Sequence, residues 1–324
     1  MALPKIISRL YQQLSLTNRS KSSGFTLLEL LVAMIISSIV ISGLLYLVVE
    51  LLKTDRRESV LDQTQRDMQR AMDYISDDIR EAVFLYENPS IMSTASTHLT
   101  DLPLGAVPIL AFWRPDPINT AAQLPTCSAY PSTTTTFQEC EVLRIRQATY
   151  SLVVYLQTPR DSNANWPGES RIIRYELDKY SNSATLASTP GYRDPTSEGV
   201  SFDTWTRSGS STLGQKSVLV DFVDDPTTPL TRTRPCQTLD PTSTATYATV
   251  PRAASTSNTI HTSFFGCIRS SAANAGGNQD AYLYLRGSTD GAGGALGPLG
   301  RESSLPTLET RVLMRGVINK NPAN

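Results

Sequence analysis

Between residues 30 and 49 the chain reads LLVAMIISSIVISGLLYLVV, twenty residues without a charge. About 20 apolar residues are what an α-helix needs to cross a bilayer. No other window of the sequence comes close, and no proline falls between Phe25 and Asn88 to break a helix. Ser37, Ser38, Ser42 and Gly43 are small enough for close helix packing. Residues 1–24 carry Lys5, Arg9, Arg19 and Lys21 and no acid. A secretory signal peptide places its small-residue cleavage site after the apolar run. Here the candidate site, Ser22-Ser23-Gly24, precedes it, so a cut there leaves the run behind as an anchor. Lys53, Arg56 and Arg57 lie beyond the far end, so the basic flanks are nearly balanced and charge alone does not orient the segment. A plain signal-anchor helix satisfies the same pattern.

Residues 24–31 read Gly-Phe-Thr-Leu-Leu-Glu-Leu-Leu. This stretch, with the apolar run after it, resembles the class III signal of type IV prepilins and type II secretion pseudopilins. The resemblance covers residues 21 to about 86. It implies that a membrane prepilin peptidase cuts after Gly24 on the cytoplasmic side and methylates the new amine of Phe25. It also implies that Glu29 serves assembly, and that the N-terminus lies in the cytoplasm. The leader is longer, and the mid-helix proline of many major pilins is missing.

Glu29 has a physical reading of its own. A carboxylate within a transmembrane segment costs about 2.5–3.5 kcal/mol, so it is normally paired or functional. The α-amine of a neighbouring copy's Phe25 is one partner, and such a pair favours one axial offset between subunits. The bland alternative is that Glu29, near the segment's end, reaches the headgroups by itself.

From Lys53 the pattern turns amphipathic. Leu61, Met68, Ile75 and Ala82 recur every seven residues, with Met72, Ile79, Val83 and Tyr86 on the same broad face. Asp62, Arg66, Asp67, Arg70, Asp73 and Asp77 take the other side, and Asp62–Arg66 is a favourable i,i+4 pair. Asn88-Pro89 predicts the stop. One helix over 25–86 would be about 93 Å long. Thr64 and Asp78 interrupt the heptad, which argues against a coiled-coil stalk.

Beyond residue 89 the sequence predicts strands at 107–113, 141–147, 149–156, 171–177, 217–223, 264–268, 281–285 and 308–317, separated by Ser-, Thr-, Gly- and Pro-rich loops at 133–136, 181–188, 238–258, 272–280 and 287–300. Runs 150–156 and 171–177 read as an antiparallel pair, and the sheet is expected to pack on the second half of the helix. Cys127, Cys140, Cys236 and Cys267 all follow the apolar run and form no C-x-x-C motif. An even count in an exported domain predicts two disulfides. Three connectivities are open; closure of a loop beside a predicted strand favours Cys127–Cys140 and Cys236–Cys267. Buried free thiols are the alternative.

A net charge of −1, from 29 basic and 30 acidic residues, gives no support for nucleic-acid binding. Two histidines, His98 and His261, argue against a multi-histidine metal centre. No nucleophile elbow, zincin motif or P-loop lysine motif is present. Asp221, Asp224, Asp225 and Asp280 raise the question of Ca²⁺, but a solvated acidic turn is the simpler reading. Trp113, Trp166 and Trp205 read as core residues.

The sequence thus predicts an α+β, type IV pilin-like chain with no catalytic residues, cofactor or metal. The divisions are a cleaved leader (1–24), a transmembrane half-helix (25–52), an amphipathic half-helix (53–88) and an extracytoplasmic β-rich head (89–324). The resemblance implies as partners the prepilin peptidase, other pilins or pseudopilins, an inner-membrane assembly platform and lipid. The helix 65–82 looks like that of larger minor subunits of the PilW or J-pseudopilin type, and the whole chain resembles cyanobacterial pseudopilins of hormogonium polysaccharide secretion. The rival readings are an anchored adhesin and an anchored extracytoplasmic enzyme.

Overall fold

The computed structural model describes residues 24, 26–118, 120–161, 165–225, 236, 247–251, 263–270, 279–289 and 305–314. The chain divides into two compact units, residues 1–56 and 57–324. Helix α1 (Leu27–Arg80, 54 residues) runs from the first into the second. In the first unit its apolar side chains are all exposed, Leu27 at 90% and Tyr46 at 73%. Among the described residues it is the one helix long and apolar enough to cross a membrane.

In the second unit α1 acquires a buried stripe. Thr64, Met68, Ala71, Met72, Ile75, Ser76 and Ile79 are buried at three- and four-residue spacing. Its other side carries the exposed pairs Asp62–Arg66, Asp67–Arg70 and Asp77–Arg80. The helix ends at Arg80, before the Asn88-Pro89 stop. Residues 83–86 leave it because a neighbouring strand offers their backbone better partners. Val83 N–H donates to Trp113 O at 2.8 Å and Tyr86 N–H to Ala111 O at 2.9 Å.

That neighbour belongs to a five-stranded antiparallel sheet in the order β1 (Phe84–Leu85), β2 (Val107–Pro117), β3 (Ala148–Pro159), β4 (Ser170–Leu177), β7 (Gln215–Val223). Strands β5 (Tyr180–Asn182) and β6 (Ala187–Ser188) form a separate small pair. A four-stranded antiparallel sheet has the order β11 (Leu308–Leu313), β10 (Asp280–Leu285), β9 (Phe264–Arg269), β8 (Tyr247–Val250).

Strand alternation sends side chains of the larger sheet into two cores. Phe112, Val153, Tyr155 and Ile172 join Met68, Met72, Ile75 and Ile79 of α1 and Val250, Phe264, Ile268 and Leu283 of the smaller sheet. Trp113, Val154 and Tyr175 point to the opposite face, with Met92, Leu99 and Trp205. Trp166 is half-buried, unlike the other two tryptophans.

Three sequence expectations are corrected. Residues 141–147 are not a strand; they lie in helix α2 (Thr135–Arg146). The alternation of Leu143 and Ile145 with Arg144 and Arg146 mimics period two, yet Cys140 and Leu143 are the buried residues, one helical step apart. Thr134 caps this helix, accepting from Phe137 N–H at 3.2 Å, and Gln147 closes it at φ 49°. The loop expected at 238–258 contains β8, and that at 181–188 contains part of β5–β6. Of the other loops, 272–278 and 290–300 lie outside the described residues, as do residues 315–317 of the last predicted strand.

Candidate functional site

Gly24 is described and non-helical, and a Cβ added to it would meet nothing within 4 Å. Packing against the described residues therefore does not require glycine at this position. Phe25 lies outside the described residues. Thr26 and Glu29 form a capping box at the start of α1. Glu29 N–H donates to Thr26 Oγ1 at 3.3 Å, and Thr26 N–H donates back to Glu29 Oε2 at 3.5 Å. The Thr26 hydroxyl lies 3.4 Å from the same carboxylate oxygen. The carboxylate is thus turned toward the helix start, where unpaired N–H groups favour negative charge. An amine created at Phe25 would stand one residue from Thr26. The box is legible in the sequence as Thr-x-x-Glu before an apolar run.

In the second unit the most concentrated electrostatics tie α1 to the sheet. Asp78, buried on the helix, accepts from Tyr155 Oη at 2.7 Å and from Arg174 Nε at 2.7 Å. Arg114 Nη1 lies 3.4 Å away. Both arginines also bind Glu176, Arg174 Nη1 at 2.6 Å and Arg114 Nη2 at 2.9 Å, and Arg114 reaches Glu81 at 3.2 Å. Burial alone would raise the Glu176 carboxyl, but the two guanidiniums outweigh it and hold it below the usual range. Burial and the Asp78 charge push the Tyr155 hydroxyl well up. The sequence showed Asp78 only as a flaw in the heptad, because its partners lie 77 and 96 residues away.

The acids considered for calcium do not form the solvated turn expected of them. Asp224 is buried against Arg286, Nε to Oδ2 at 2.6 Å. Asp280 is fully buried, held by Arg311 at 2.7 Å and Tyr247 at 3.1 Å. Asp221 accepts from Gly168 N–H at 3.0 Å. Asp221, Asp224 and Asp280 each have their own partner, and among the described residues no three His, Cys, Asp or Glu are placed to hold a metal. His98 hydrogen-bonds Thr97 at 2.8 Å beside Trp205, and burial lowers its pKa. His261 lies outside the described residues. The four cysteines pair as Cys127–Cys140 and Cys236–Cys267, the connectivity favoured from the sequence.

The prokaryotic N-terminal methylation motif matches residues 19–45. Neither a search of curated proteins nor a search of solved structures finds a match. The motif indicates a type IV pilin-like prepilin processed by a peptidase and implies assembly with other pilins, and the exposed apolar helix that follows it is long and apolar enough to cross a membrane. Such proteins are generally structural subunits rather than enzymes.

Proposed function

We propose that the chain is a minor pilin or pseudopilin, a non-enzymatic subunit of a type IV pilus or type II secretion-like filament that supports secretion or surface motility. The observation that carries this reading is the run from Gly24 to Leu31 opening directly into a span-length apolar helix. In this reading residues 1–24 are the cytoplasmic leader, 25–52 the membrane half of the helix, 53–88 its amphipathic half and 89–324 the extracytoplasmic head. Cleavage follows Gly24, methylation falls on Phe25, and Glu29 meets the methylated amine of a neighbour. The loop-rich head favours a minor role, since so bulky a head crowds a filament of identical copies. The likeness to PilW- and J-type subunits, and to polysaccharide-secretion pseudopilins, points the same way.

Mass spectrometry of the native polypeptide tests the reading. A chain starting at N-methylated Phe25 is expected; an intact Met1 would overturn it. Substituting Gly24 should leave the precursor uncut. Because a side chain there meets nothing, a loss of cutting reports peptidase recognition rather than misfolding. Glu29→Gln separates two roles: glutamine still completes the capping box but cannot pair as an anion. Insertion should be kept and filament incorporation should fall; unchanged incorporation would remove the register role.

A further inference from the structure

The two sheets meet at an unusually polar place. Gln157, near the end of β3, is buried at 2% exposure, and the two hydrogens of its amide nitrogen are shared among three acceptors. Its acceptors are Ser170 Oγ at 2.8 Å, Ser263 Oγ at 2.8 Å and Asp224 O at 3.2 Å. Arg286, just after β10 and at 5% exposure, donates through Nε to Asp224 Oδ2. The backbone closes the ring: Asp224 N–H donates to Arg286 O at 3.1 Å, and Arg286 N–H to Ser263 O at 2.7 Å. Residues from both sheets therefore converge on Asp224.

Two polar atoms of this group have no hydrogen-bond partner among the described residues, the acceptor Gln157 Oε1 and the donor Arg286 Nη2. Leaving a buried acceptor or donor unpaired costs about 1–3 kcal/mol, and more for a charged group. One is an acceptor and the other a donor, and both residues bind Asp224. The Ser263 hydroxyl accepts from Gln157 and keeps a hydrogen of its own to give. Buried waters typically make about three hydrogen bonds to groups of this kind.

We infer that one internal water molecule is bound at this junction, donating to Gln157 Oε1 and accepting from Arg286 Nη2 and the Ser263 hydroxyl. A second copy of the chain or a metal is the wrong occupant, because the site is buried and offers more donors than free acceptors. The water links β3 of the larger sheet to the segments flanking β9 and β10 of the smaller one. This inference stands apart from the assignment to a filament and survives or fails without it.

The test uses the full chain in detergent, labelled with ¹⁵N-glutamine, and reads magnetisation transfer between water and side-chain amides. Gln157→Met identifies the Gln157 signals by their loss. In the otherwise unaltered chain these should show a water cross-peak with the sign of a long-lived bound molecule. Exposed Gln138 should show the sign of fast surface exchange. Ser170→Ala and Ser263→Ala remove relay through hydroxyl protons, and the cross-peak should persist in both. Absence of the cross-peak, a surface-type sign at Gln157, or loss of the signal in either serine variant would each overturn the inference. A crystal structure gives a second readout. Electron density within hydrogen-bond reach of Gln157 Oε1 and Arg286 Nη2 supports it; a protein atom filling that place refutes it.

Discussion

Asp78→Asn is the sharpest probe of how the helix is held to the head. The substitution keeps the side chain's shape and removes its charge. In the structure that charge faces Arg174 and Arg114, whose side chains are 8% and 20% exposed. Breaking a buried ion pair by removing one partner costs about 3–5 kcal/mol. Arg174 would keep Glu176, which places the cost at the low end, about 3 kcal/mol. For a unit of this size each kcal/mol moves Tm by roughly 2–4 °C, so a drop of about 6–12 °C is expected. Asp77→Asn is the matched control. It breaks an exposed pair with Arg80, 73% and 57% exposed, and should cost well under about 1 kcal/mol. Tryptophan fluorescence during heating of the full chain in detergent is the assay, because Trp113 and Trp205 are buried on the opposite face of the sheet. Adding Tyr155→Phe should produce a non-additive result, since both changes act on one hydrogen bond. If Asp78→Asn lowers Tm no more than Asp77→Asn does, the ion cluster is not what secures the helix.

Non-reducing peptide mapping should recover two bridged pairs, and four free thiols would refute them. Loop closure predicts that losing Cys236–Cys267, whose partners are 31 positions apart, costs about 4 kcal/mol, against about 3 kcal/mol for Cys127–Cys140 at a separation of 13. Denaturant titration of the paired Cys→Ser variants checks the order. Asp178 offers a pH test. Burial raises its carboxyl and Glu176 raises it further, so its contribution to stability is present while it is protonated and fades as pH rises through that raised pKa. Asp178→Asn should therefore raise Tm at neutral pH, with the gain vanishing below the usual carboxylate range near pH 4. Asp101 behaves oppositely: burial opposes ionisation, but Lys216, Thr212 and Tyr175 outweigh it and lower its pKa. Its support should be lost as pH falls through that lowered value, and Asp101→Asn should flatten the acid limb of a Tm-against-pH curve.

Local patterns carried the sequence reading where the physics is local. An uncharged run of membrane length, a seven-residue apolar recurrence and the β-rich runs at 149–156 and 171–177 each specify an element with little help from elsewhere. The errors fall where distant partners decide. Phe84 and Leu85 look helical until β2 presents free carbonyls and Gln279 brackets Leu85, accepting from its N–H at 3.3 Å and donating to its carbonyl at 3.4 Å. Residues 247–250 sit in a threonine-rich stretch and become a strand only by pairing with β9. Val-Leu-Arg-Ile-Arg at 142–146 fits either period, and the cap at Thr134 is what resolves it. At the N-terminal site the motif was legible residue by residue. The reciprocal bonding of Thr26 and Glu29 is encoded in their three-residue spacing. Asp78, Asp224 and Asp280 could not be recognised as buried acids, because their arginines arrive from far along the chain.

The shared core has a practical corollary for anyone wishing to handle this protein without lipid. A truncation at residue 89, where the sequence changes character, would delete Met68, Met72, Ile75 and Ile79 and leave apolar faces of both sheets open to water. The product would be expected to aggregate however well its disulfides formed. A cut a few residues ahead of Thr64 discards the exposed apolar stretch while keeping every helical side chain that the head's interior requires. The soluble piece of this molecule therefore begins inside its longest helix, at a point no loop marks.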